Sequence, residues 1–259
     1  MKSMVSACLA LMLSSGAALA EQTVTFTYEN VDSYPWSMKD GSGVNFILLE
    51  MTDEALPEVA FKYIQAPWQR CLHNIENGIT EGCFAASFKE KRLQHGLYPA
   101  THSGGDVDPG MRLHSSSYSL YVKKDSNVNV TGKMTISGLT GKVAAPAGYS
   151  IGDDLAKAGY QVDAKSSKTL NNFQKLLSGR VDAVAALTLN GDNILASDSK
   201  FSGQLKAIET PLVDKPYYLM LSKQFVNSNK ALAEKIWMKA AEIRETKAFK
   251  DKAGEFLAK

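Results

Sequence analysis

The chain has 259 residues, 44% hydrophobic and 22% charged, enough for a sizeable core in one or two domains. A formal charge of +2 with no basic block argues against nucleic acid as a partner. Beyond the leader, no stretch reaches the roughly 18 apolar residues that span a bilayer, so the body of the chain is not expected to be membrane-embedded.

The first twenty residues, MKSMVSACLALMLSSGAALA, place one lysine ahead of an apolar run and end on Ala18-Leu19-Ala20. This reads as a signal peptide over 1–20, cleaved before Glu21, which predicts an exported, periplasmic protein. Val5-Ser6-Ala7-Cys8 imitates a lipid-attachment box, but the apolar stretch lies mostly after Cys8, so no lipid anchor is expected.

Thr23 to Tyr28 alternates as a strand, followed by a turn-rich loop holding Tyr34 and Trp36. Asn45 to Leu56 has helical spacing, and Val59 to Ile64 is a second strand. Pro67 suits the first position of a helix carrying Leu72 and Ile75, which Asn77-Gly78 stops. Cys83-Phe84-Ala85-Ala86 reads as a buried strand, and Ser87 with Glu90 forms a capping-box pattern opening a helix. The first turn of that helix would carry Lys89, Lys91 and Arg92, the wrong charge for a helix start. An anion held between the N–H groups and the Arg92 guanidinium resolves that conflict, whereas the two lysines read as solvated cations.

Gly96 to Ser117 reads as a long polar loop, and Ser119 to Val122 and Tyr217 to Leu221 as strands. Between those two strands the first pattern repeats. Lys142 to Ala145 is a strand, Gly148-Tyr149-Ser150 turns into a helix with Ser150 as its cap, and FQKLLSGRVDAVAA matches CLHNIENGITEGCFAA in construction. The alternation predicts a mostly parallel α/β sheet in two lobes, one inserted in the other. The expected boundaries are 21–118 with 216–259 for the first lobe and 119–215 for the second. Ala231 to Leu257 is amphipathic and would pack on the first lobe. In an oxidising compartment Cys71 and Cys83 are either a disulfide or two buried thiols.

YPWS after the first strand, W-x-R-x-L-x5-G-x3-G, S-x4-R at Ser87–Arg92, L-x-G-K-V, AGYS and GRVDAV occur in order over the whole mature chain. In this the chain resembles the family 3 extracellular solute-binding proteins, the polar-amino-acid type of periplasmic binding protein. The resemblance implies a type II two-lobe fold, each lobe an open mixed sheet flanked by helices. It also implies a monomeric "Venus flytrap" that closes on a small molecule for an ABC permease, without a cofactor. By position Arg92 would bind the ligand carboxylate and Ser87 would donate to it. Trp68 would pack on the ligand, with Gly148, Tyr149 and Ser150 contributing from the second lobe and Trp36 and Tyr34 as further contacts.

Two positions depart from the family pattern. Leu187 stands where an aspartate would hold an α-ammonium, and Lys89 where a threonine is common. A carboxylate with an apolar or aromatic body is therefore expected, although Glu29 or Asp32 could supply an acid from another direction. The scattered His73, His95, His102 and His114, with Asp106 and Asp108, match no metal-site spacing. Tyr217-Tyr218 reads as a packing pair. Binding is expected rather than catalysis; the same fold also suits a sensor that presents its closed form to a membrane receptor, or a dehydratase-like enzyme.

Overall fold

The computed structural model describes residues 22–100 and 106–258. The leader, Cys8 and His102 lie outside the described residues. Two strands, β1 (Gln22–Glu29) and β2 (Val59–Ala66), pair in parallel around α1 (Val44–Glu54), and α2 (Trp68–Glu76) leads into β3 (Gly82–Ser87), parallel to β1. The long β4 (His114–Lys123) follows, then a hairpin of β5 (Asn129–Gly132) and β6 (Thr135–Ser137).

A second parallel set is built from β7 (Val143–Ala144), α3 (Ser150–Lys157), β8 (Val162–Asp163), α4 (Thr169–Leu177) and β9 (Ala183–Leu187). Helices α5 (Thr188–Ser197) and α6 (Ser199–Ser202) precede β10 (Leu205–Ala207), and β11 (Val213–Leu221) returns to the first set. The C-terminal α7 (Lys223–Ser228), α8 (Lys230–Glu245) and α9 (Lys247–Leu257) complete the chain.

The strand order is β2-β1-β3-β11-β4-β9-β7-β8, with β10 on β4. Pairing within each set is parallel, but β11–β3, β11–β4, β4–β9 and β10–β4 are antiparallel, so the sheet is mixed rather than mostly parallel. Two buried clusters draw on residues 24–113 and 218–253, and two others on residues 118–217. The partly buried Ala85 packs against one cluster of each kind, at φ 60, a left-handed conformation that costs a non-glycine residue about 1–2 kcal/mol.

Local readings need three corrections. Pro67 is the N-cap of α2 rather than its first residue, and Ser150 is the first residue of α3, capped by Tyr149. The capping box at Ser87 does not form: a 3-10 turn over Glu90–Gln94 starts from Lys89 without a side-chain cap. Ser87 stays in the strand because its hydroxyl and carbonyl are taken by other partners.

Candidate functional site

Strand register gathers the site. Tyr217 pairs with Ser87 on one side and His114 on the other, and Tyr118 pairs with Leu187. Glu29, the last residue of β1, lies opposite Ala66 of β2, two residues before Trp68 opens α2. The side chains line one cavity that opens to solvent. Tyr28, Trp36, Trp68, Phe84, Tyr118, Tyr149 and Tyr217 give it aromatic walls, and Glu29, Ser87, Arg92, His114 and Ser150 are among its polar lining.

Arg92 is buried, with 4% of its surface exposed. Its Nη1 donates to the Ser87 carbonyl at 2.7 Å and to Ser87 Oγ at 3.2 Å, and Nη2 donates to the Gly148 carbonyl at 3.1 Å. The guanidinium carbon sits 5.1 Å from the centre of the Trp68 ring. Among the described residues no carboxylate lies within ion-pair distance of it. A buried cation satisfied only by neutral acceptors retains most of its desolvation cost, which a bound anion would offset. The indole Nε1 of Trp68 is also buried without a partner among the described residues, although buried indole N–H groups normally find one.

The two halves of the chain meet directly here. Ser87 Oγ donates to Ser150 Oγ at 2.8 Å, and Tyr149 Oη to Glu29 Oε2 at 2.5 Å. Lys89 pairs with Asp153 at 2.9 Å and Asp154 at 3.3 Å, and Lys91 also reaches Asp153. Lys215 of β11 donates to Ser150 Oγ at 2.8 Å and pairs with Asp154. Burial pushes the Lys215 pKa down, with Asp154 opposing. At Gly148 φ is +77, and an added Cβ would lie 2.4 Å from Gln69 Nε2 and 3.1 Å from Trp68 Cδ1, so the turn presses against the start of α2.

The other end of the cavity is set by a stack of rings. Trp36 lies 3.8 Å from His114, nearly parallel at 9°, and His114 lies 5.0 Å from Tyr217 at 7°. His114 Nδ1 is 2.8 Å from Asn45 Oδ1; because that oxygen only accepts, Nδ1 carries the proton and Nε2 is the acceptor. Burial pushes the His114 pKa down to about 3, so the ring is neutral. Burial raises the Glu29 pKa to about 7, against the lowering effects of the Tyr149 hydrogen bond and Arg92.

Arg92, Ser87, Trp68, Tyr149, Ser150 and Trp36 thus line one cavity. Two expected contacts do not. Gly148 meets Arg92 through its carbonyl from outside the cavity wall, and Tyr34 stacks on Phe256 at 6.4 Å while its N–H donates to Asn190. Asp32 is spent on Lys39 at 3.2 Å. Lys89, read as a solvated cation, is instead mostly buried in its ion pairs. Cys71 and Cys83 are free, buried thiols of one cluster, not a disulfide. Sequence reading missed two residues of β4 in this wall, His114, where a loop was expected up to Ser117, and Tyr118, just ahead of the expected strand, and took Tyr217 for packing alone.

No protein-family model matches the chain, and no curated protein matches it in sequence. Solved structures match in fold. The GluR0 ligand-binding core from Nostoc punctiforme, in complex with L-glutamate, is 14% identical at TM-score 0.68, covering 90% of this chain and 98% of that one. A histidine kinase sensor domain with similarity to periplasmic binding proteins is 15% identical at TM-score 0.71, covering 92% and 96%. An arginine transport-system periplasmic binding protein from Legionella pneumophila is 14% identical at TM-score 0.69, covering 91% and 100%. The chain therefore has the two-lobe fold of periplasmic binding proteins. Among the described residues no helix is long and apolar enough to cross a membrane, and no cluster of metal-ligating side chains occurs.

Proposed function

We propose that this chain is an exported solute-binding protein that captures a small carboxylate-bearing molecule between two closing lobes for import by an ABC-type permease. The lobes are 21–118 with 216–259, and 119–215. The observation that carries the reading is the buried Arg92 guanidinium, which faces only neutral acceptors and stands beside the unpaired Nε1 of Trp68. A carboxylate entering between them would take a bidentate pair from Arg92 and a third hydrogen bond from Trp68. The aromatic walls would hold an apolar or ring-bearing body. Mass spectrometry of the molecule released from purified, denatured protein tests this: a carboxylate is expected, and a ligand without an acidic group contradicts it.

One observation favours turnover instead: Glu29 combines a cavity position with a pKa raised to about 7, as an acid–base group would need. We read the site as binding without turnover. Recovery of the released molecule unchanged after prolonged incubation with the protein supports that reading, and conversion to a product favours the enzyme.

A further inference from the structure

We propose that His114 is a specificity-determining residue whose Nε2 accepts a hydrogen bond from the ligand. The ligand then carries a neutral donor, a hydroxyl or N–H, at the end of its body remote from the carboxylate. The inference rests on the anion site at Arg92 proposed above. His114 lines the cavity with only 7% of its surface exposed, and its ring is stacked against both Trp36 and Tyr217. Its Nδ1 is taken by Asn45, itself buried and fixed by the donation of Nδ2 to Ser37 Oγ at 3.1 Å. Nε2 has no protein donor among the described residues, so the free polar atom of the ring is an acceptor of fixed direction. Arg92, Ser87, Ser150 and Glu29, by contrast, all hold protein partners.

Strand register sets the spacing. Tyr217 stands between Ser87 and His114 in the sheet, so the backbones at those two positions are two strand spacings, about 10 Å, apart. A ligand whose carboxylate lies at Arg92 and Trp68 therefore reaches the imidazole with the far end of its body, past the aromatic walls. Charge decides what that end can carry. Burial pushes the His114 pKa down to about 3 with no charged group contributing, so the ring is neutral and no counter-charge stands near it. A second carboxylate there would meet an acceptor instead of a donor, and a cation would be desolvated without a partner. A purely apolar end would strip Nε2 of water and leave it unpaired. A neutral hydroxyl or N–H satisfies it without either cost, and a site built around such a bond rejects the analogue that lacks it.

The test is calorimetry with para-hydroxybenzoate, para-hydroxyphenylacetate and para-hydroxyphenylpropanoate. Each is set beside its para-amino analogue, the parent acid lacking the group, and the methyl ether, which keeps the oxygen but cannot donate. Wild type, His114→Phe and Arg92→Ala are compared, with circular dichroism confirming the fold of each. In the best-bound set the wild type is expected to hold the hydroxy or amino member at least ~10-fold more tightly than both the parent acid and the methyl ether. The two donor arms show whether a hydroxyl or an N–H is preferred. His114→Phe keeps a flat ring against Trp36 and Tyr217 and should erase that ratio, whereas a merely structural role would weaken every member alike and preserve it. Equal affinities in the wild type overturn the role of His114, as does a ratio that survives His114→Phe; the anion site then stands if Arg92→Ala still weakens every member. Should His114→Phe fail to fold, the wild-type ratios decide alone. Binding that survives Arg92→Ala overturns the anion site itself. A wild type that binds none of the probes overturns the proposed ligand class.

Discussion

Ser87 and Ser150, 63 residues apart in sequence, share a hydrogen bond of 2.8 Å between their hydroxyl oxygens, closing the two halves of the molecule directly above Arg92. Around this contact Lys89 reaches across to Asp153 and Asp154, while Lys215 holds Ser150 and Asp154 from within 119–215. Under the proposed function, polar contacts across the two halves suit a cleft that reopens.

The first prediction concerns that closure. Lys89→Ala removes two ion pairs whose carboxylates are partly exposed, a loss of about 1 kcal/mol or several-fold in the closed population. Distances between spin labels on the two lobes should lengthen in the ligand-free variant at neutral pH. Burial pushes the Asp153 pKa up, but Lys89 and Lys91 outweigh it and hold the carboxyl below 3.8. Its contribution is therefore present above pH 3.8 and lost as pH falls through the lower folded value. Unchanged distances in Lys89→Ala would show that these pairs do not bias closure.

A second prediction follows from Glu29. Its pKa rises from 4.5 to about 7 on folding, so the folded state binds more protons than the unfolded state between those values. Stability is then full below pH 4.5 and declines as pH rises through 7, by up to about 3 kcal/mol. Urea midpoints of ligand-free wild type should fall between pH 5 and pH 8 relative to Glu29→Gln. Parallel pH profiles for the two proteins would contradict the burial of Glu29 as a charge.

Much of this site was legible in the sequence because it is built from local punctuation. A helix opened by Pro67-Trp68, a glycine stop at Gly78 and a short apolar strand fix where Ser87 and Arg92 fall. What stayed hidden is non-local. The run His114-Ser115-Ser116-Ser117 is polar and reads as a loop, yet it is strand because β11 lies antiparallel beside it and the next residue, Tyr118, pairs with Leu187 of β9. His114 joins the wall only through that register. Tyr34 lies outside the cavity lining for the same kind of reason: its partner, Phe256, is on the last helix, and no neighbouring residue announces it.

The third prediction concerns the thiols. Cys71 and Cys83 are fully buried, and burial pushes the Cys83 pKa up to about 12 and that of Cys71 higher. Both should resist a thiol reagent in the native protein and react promptly in denaturant. Changing both to Ala should cost about 1–2 kcal/mol each in stability, with binding retained. Rapid native labelling would contradict their burial, and loss of binding in a folded double variant would give them a role in the site.

The anion site at Arg92 is tested most directly by calorimetric titration of the released molecule back onto stripped protein. Charged hydrogen bonds contribute about 1.5–3 kcal/mol each, so Arg92→Ala should weaken binding at least ~10-fold with the fold intact. Arg92→Lys should not restore it, because a point charge cannot reproduce the planar fork or the stacking on Trp68. Unchanged affinity in Arg92→Ala would contradict an anion site at Arg92.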